Sequence, residues 1–146
     1  MRFETAGTRE NPARRPSKDR TRGVAVRSHM QLEAKSLDNP DESRPFAAKG
    51  RVDLVTVGGV TVGRGVAEPG WRWSEHVKPI AGTDSCQAAH TGYVISGRMK
   101  VAMDDGTEGE ARAGDAFAIP PGHDAWILGD EPCVFLDFSG MDDYAR

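Results

Sequence analysis

The turn signals of this chain fall at a nearly constant spacing, and that spacing limits the fold more than any other feature. Gly58-Gly59, Glu68-Pro69-Gly70, Gly97, Asp104-Asp105-Gly106, Ala113-Gly114-Asp115, Pro120-Pro121-Gly122 and Gly129-Asp130-Glu131-Pro132 punctuate residues 50–140. Short runs of β-branched, aromatic and aliphatic residues lie between them. Val52–Val57 and Val60–Val66 flank Gly-Gly and read as a hairpin. Trp71–Lys78 reads as a third strand, with Ser74, His76 and Lys78 on one face and Trp73, Glu75 and Val77 on the other. Gln87–Ser96, Arg98–Met103, Thr107–Arg112, Ala116–Ile119, His123–Leu128 and Cys133–Ser139 complete nine runs. Strands recurring roughly every 8–12 residues predict an all-β sandwich or barrel. Nothing helical alternates with them to build a parallel α/β sheet.

The rest of the chain lies outside that pattern, in keeping with a hydrophobic content of only 38%. Residues 1–28 carry a charge of +5, which leaves −8 on the remainder of a chain whose net charge is −3. This basic stretch has one aromatic residue (Phe3), two prolines and no apolar period, so residues 1–29 are expected to be a disordered tail rather than a nucleic-acid contact. Residues 30–49 are expected to form a linker or an arm that packs on the barrel or on a partner subunit, with Phe46 as a candidate anchor. Residues 50–140 form the barrel, and 141–146 are expected to fray. No apolar run is long enough for a membrane span. The N-terminal residues lack an apolar signal core, so the expected location is cytoplasmic. Cys86 and Cys133 show no CxxC or zinc-finger spacing and read as two reduced thiols.

Gly114–Trp126, reading GDAFAIPPGHDAW, is the most distinctive stretch. Gly114, Asp115, Ile119, Pro120, Pro121 and Gly122 fall where the second motif of the cupin superfamily places such residues, and the stretch resembles that motif. The family's histidine position, three residues after the last glycine, holds Ala125. His123 stands two residues earlier, which on a strand is the same side. The first cupin motif is similar to two separate pieces of the chain. Gly70 and, after five residues, His76 match its start, with Lys78 where a second histidine usually stands. His90 and, after six residues, Gly97 match its end, with His90 in the place of the usual glutamate and Tyr93-Val94-Ile95 before the glycine.

The resemblance implies a cupin-type double-stranded β-helix, a jelly-roll barrel of the small single-domain kind. It also implies that His76, His90 and His123 converge at the barrel mouth. Three imidazoles suit a divalent first-row ion, Zn, Fe, Ni or Cu, with positions left open for water or substrate. Lys78 donates and does not coordinate while protonated, so it reads as a partner for an anionic ligand or a carboxylate. Trp73 and Trp126 either line an apolar ligand pocket or pack as barrel wall, and Tyr93 has the same two readings. Glu75 is a reserve ligand, inward-facing if the strand register slips by one residue. Two functions follow. One is a metal-dependent enzyme acting on a small oxygenated molecule, with dioxygenase- or isomerase-type chemistry. The alternative is a non-catalytic barrel that binds or senses a small molecule. Unpaired sheet edges and the 30–49 segment lead to the expectation of a homodimer.

Overall fold

The turn residues deliver nine strands. In the computed structural model, which describes residues 31–146, they are β1 (Glu42–Pro45), β2 (Gly50–Val57), β3 (Val60–Ala67), β4 (His90–Ser96), β5 (Arg98–Met103), β6 (Glu108–Arg112), β7 (Ala116–Ile119), β8 (His123–Ile127) and β9 (Cys133–Asp137). The basic tail expected at 1–29 lies outside the described residues. Strands β1-β2-β3-β9-β4-β7 hydrogen-bond in that order as one sheet, and β6-β5-β8 form a second. Every neighbouring pair is antiparallel. This is the jelly-roll barrel expected from the sequence.

Local chemistry explains the main corners. Gly58 and Gly59, at φ of 56° and 76°, make the two-residue hairpin turn between β2 and β3, where positive φ matches the strand twist. Gly97, at φ 80°, moves the chain from the large sheet into the small one. A Cβ there would lie 2.5 Å from the Pro132 carbonyl oxygen.

Side chains alternate along each strand, and the inward set forms one core. Val52, Leu54, Val94, Met99, Val101, Ile119, Ala125, Ile127 and Phe135 fill it, with Trp71 and Trp73 closing one end. The same alternation turns three polar residues inward: His90 at the start of β4, His123 at the start of β8, and Asp137 at the end of β9. Register gathers them, since His90 pairs with Ile119 and Gly92 with Asp137.

Two expectations are corrected, for Trp71–Lys78 and for the last residues. Trp71–Lys78 is not a strand; apart from one bridge between Arg72 and Trp126, it folds into the helical turns α1 (Trp73–His76) and α2 (Lys78–Ala81). Helical spacing buries Trp73 and Val77 together and exposes Glu75 between them, where period two would have aligned all three. Pro79 falls in the first turn of α2, a position that costs no hydrogen bond. Within 30–49, residues 42–45 add an edge strand to β2, and Phe46 packs against Trp71 with ring centroids 5.3 Å apart. The last residues do not fray. Met141, Tyr144 and Ala145 are buried, and the Arg44 guanidinium donates to the carbonyl oxygens of Met141, Tyr144 and Asp142 at 2.7, 2.9 and 3.2 Å. Among the described residues, no helix is long and apolar enough to cross a membrane.

Candidate metal centre

His90 and His123 are delivered to the interior by the first residues of β4 and β8. The third member of the cluster, Cys86, arrives on the loop before β4. The Cys86 N–H donates to the His123 carbonyl at 2.8 Å, and the Gly122 N–H donates to the Cys86 carbonyl at 2.7 Å, so a short bridge fixes the cysteine beside the histidine. Ser85 anchors the loop by donating to the Asp104 carboxylate at 2.8 Å. Cys86, His90 and His123 are 3, 7 and 3% exposed. One donor atom from each lies within 4.8 Å of the others. Cys86 Sγ is 3.5 Å from His90 Nε2, and the two imidazole centroids are 5.3 Å apart at 72°.

The far side of each ring is already occupied. His123 Nδ1 donates to the Pro120 carbonyl at 2.8 Å, which leaves Nε2 for the cluster. His90 Nδ1 pairs with the Asp137 carboxylate, which is fully buried. Burial disfavours a thiolate, but hydrogen bonds from His123 and His90 outweigh it and bring Cys86 down to about 6. Burial likewise disfavours an imidazolium, yet Asp137 and Cys86 push His90 up to about 9. Both shifts favour the thiolate of Cys86 and the imidazolium of His90 when no ion is present.

Space around the cluster is unequal. A pocket of about 30 Å³ lies between His90, His123, Trp73, Asp137 and Tyr144, room for about one water. An outer cleft of about 500 Å³ is lined by Cys86, Trp73, Gln87, Tyr144 and Arg146. Trp73 and Tyr144 border both spaces and form the partition between them.

The structure brings together two of the three histidines expected to converge. His76 is not with them. It sits on α1, where its Nδ1 lies 3.0 Å from the Arg72 backbone nitrogen, because the segment is helical rather than extended. Glu75, the reserve ligand, is exposed on the same turn, with its carboxylate 4.0 Å from His76 Nε2. Lys78 pairs with Asp84 at 3.5 Å on the surface and lines neither space. Tyr93 is 42% exposed on the outer face of the large sheet. Trp126 also points outward, and the Arg72 guanidinium lies 4.4 Å from its ring centroid. Trp73 does border the pocket. Ala125, at the family's histidine position, faces inward two residues beyond His123. Sequence reasoning missed Cys86 and Asp137. Cys86 stands four residues before His90, a spacing without a regular-element meaning in a loop. Asp137 had a readable signal, as the lone acid in the apolar run Val134–Phe138 and in phase with inward Cys133 and Phe135.

The donor set fits a metal ion. Two imidazole nitrogens and a thiolate are ligands of zinc and related ions, with bonds of about 2.0–2.1 and 2.3 Å, and donor atoms within 4.8 Å of one another can share one ion with small side-chain shifts. Both histidines carry the outer hydrogen bond that ligating imidazoles almost always make.

A family model described as a cupin domain matches residues 82–139, a span that contains Cys86, His90, His123 and Asp137. No curated protein sequence matches the chain. Among solved structures, the chain is similar to an oxalate decarboxylase from Lactobacillus farciminis in its formate complex, at 20% identity and a TM-score of 0.52. That alignment covers 78% of this chain and 35% of the decarboxylase, so this chain spans about a third of that protein's length. It is similar also to a protein of unknown function from Acidithiobacillus ferrooxidans, at 21% identity and a TM-score of 0.53, covering 75% of this chain and 95% of the other. A protein from Klebsiella pneumoniae with a double-stranded β-helix domain aligns at 22% identity and a TM-score of 0.50, covering 78% of this chain and 94% of the other. At these identities the likeness shows the fold alone, and that fold is the double-stranded β-helix.

Proposed function

We propose that this chain, which matches a cupin-domain model over residues 82–139 and has the double-stranded β-helix fold, binds one divalent ion through Cys86, His90 and His123 and acts there on a small oxygenated molecule. The observation that carries the reading is the convergence of three donor atoms in a buried site whose imidazoles are oriented from behind. A thiolate beside two imidazoles favours a borderline-soft ion, zinc first, with iron, nickel and copper as the other candidates. Such an ion supplies Lewis-acid polarisation of an oxygen or, for a redox-active metal, dioxygenase-type chemistry; isomerase-type chemistry needs only the former.

The protein's own residues set the terms of entry. Cys86 faces the outer cleft, so a molecule in that cleft meets the sulfur side of the cluster. Trp73 and Tyr144 limit what passes to the inner pocket. The two buried free thiols fit a reducing compartment, and we place the protein in the cytoplasm on that ground. A homodimer belongs to the same reading. Exposed Tyr93, Ile95 and Phe138 give the outer face of β4 and β9 an apolar surface that a second copy would cover. Light scattering of the eluting protein tests this, and a monomer at all concentrations refutes it.

One observation favours the alternative of a non-catalytic binding or sensing barrel: the space of about 30 Å³ beside the imidazoles admits little more than water. The deciding experiment is elemental analysis of protein purified without an affinity-metal step, together with mass spectrometry of any retained small molecule. About one equivalent of metal, lost in His90→Ala, supports the metal reading; a metal-free parent protein refutes it. A retained molecule that is recovered chemically unchanged after incubation with the metal-loaded protein selects the binding barrel.

A further inference from the structure

We infer that Asp137 is a positioning residue for the metal centre, and that through it the C-terminal segment 139–146 is part of that centre. The role presupposes the metal reading above and deepens it.

Asp137 is fully buried at the end of an apolar strand, where a carboxylate is costly unless each oxygen is satisfied. Both are. One oxygen pairs with His90 Nδ1. The other accepts the Ser139 and Gly140 backbone N–H groups, each at 2.9 Å. A carboxylate has no proton to give, so the proton between the pair sits on His90 Nδ1 and the ring presents Nε2 to Cys86 and the cluster. An amide in the same place could donate to Nδ1 and turn the wrong tautomer inward.

The second oxygen does a different task. It folds the chain back at Ser139 and Gly140, and Gly140 then passes directly against the ligand ring. A Cβ at Gly140 would lie 2.5 Å from His90 Nδ1 and 2.4 Å from the Ala89 carbonyl oxygen. Four residues on, the Tyr144 ring meets His90 edge to face, at 5.3 Å and 90°. Arg44 holds this return in place by its three bonds to tail carbonyls. Fixing His90 for ligation and fastening the tail are therefore joined through the backbone of residues 137–144, which carries both sets of hydrogen bonds. Coupling of this kind is reciprocal: metal binding protects the tail, and loosening the tail weakens the metal.

The test uses the full chain, stripped of metal and titrated with zinc in a chelator-buffered series at fixed pH. Three proteins are compared: the parent, Asp137→Asn, and Arg44→Lys, which keeps the charge but loses the planar fork. Asp137→Asn is expected to weaken zinc by about 10- to 100-fold, the range for outer partners of metal-bound histidines. It is also expected to lose the His90 Nδ1–H signal from the imidazole correlation spectrum of the zinc form, a signature that a purely structural role would not move. Zinc is expected to slow amide hydrogen exchange across 141–146 in the parent. Arg44→Lys, distant in sequence from every ligand, is expected to speed that exchange and weaken zinc several-fold. Unchanged zinc affinity and an unchanged His90 signal in Asp137→Asn would overturn the role. If that variant does not fold, unchanged zinc affinity in an Arg44→Lys protein with a loosened tail would overturn it instead. A parent that takes up no zinc defeats the metal reading itself, and this role with it.

Discussion

Two thiols in one small barrel should ionise about five pH units apart, and the separation can be measured without touching the sequence. Cys86 and Cys133 are the only cysteines in the chain. Both are buried, so burial alone would push both upward. At Cys133 nothing opposes burial, Glu131 adds repulsion, and the thiol is pushed up to about 11. Burial at Cys86 is overcome by hydrogen bonds from His123 and His90, and the thiol falls from an ordinary 9.0 to about 6. That three-unit drop corresponds to about 4 kcal/mol of preference for the thiolate, at roughly 1.4 per unit. In metal-free protein, ultraviolet thiolate absorbance should therefore rise by one equivalent as pH passes about 6 and stay level until strongly alkaline pH. Replacing His90 with Gln removes a charged donor and should move the step up by about 1–3 units. A single step near 8.5–9 in the parent, or a step near 6 that His90→Gln leaves in place, would refute the account of the site. The pair also shapes stability. The lowered Cys86 value contributes stability above 9 that is lost as pH falls through about 6. The raised His90 value contributes stability below 6.5 that is lost as pH rises through about 9. Between about 6.5 and 9 the two trends oppose, so metal-free stability should be nearly level there.

Cys86→Ser should weaken zinc by at least about 100-fold, beyond the loss expected from an outer partner, while His76→Ala should change it by less than about twofold; competition with a chromophoric chelator reads both. Gly92→Ala should cost about 3 kcal/mol or abolish folding, measured by urea denaturation, because the added Cβ would fall 1.9 Å from the Leu136 carbonyl oxygen and a paired backbone has little room to yield. Trp73→Ala should cost about 3–5 kcal/mol by the same measurement. It should also speed zinc transfer to an added chelator, since Trp73 is part of the partition between the cleft and the inner pocket.

Much of the barrel was legible because strands announce themselves through turns. Gly58-Gly59, Gly97 and Pro120-Pro121-Gly122 lie at strand ends where the sequence placed them, and β7 runs over Ala116–Ile119 as read. Trp71–Lys78 was misread because period two and helical spacing agree at its ends; only Glu75, exposed between buried Trp73 and Val77, separates them. The site was half legible. His90 and His123 begin strands, so the pattern of alternation fixed their direction. Cys86 lies in a loop, where no periodicity operates, and its place depends on a backbone bridge to a residue 37 positions later. The tail was misread because its burial depends on Arg44, nearly a hundred residues earlier, and sequence carries no local mark of such a partner.

The three donors and the carboxylate behind them all come from Cys86–Asp137, while β1–β3 line none of the inner pocket. Damage to such a molecule comes in two kinds that can be told apart. A packing defect in β2 or β3 lowers the unfolding free energy and leaves the affinity of the folded fraction where it was. A change at a donor atom, such as Cys86→Ser, is expected to lower the metal affinity of the folded protein itself. Arg44 crosses that division, because it stands on β1 and grips the segment against His90. A lesion at Arg44 would register in both measurements at once.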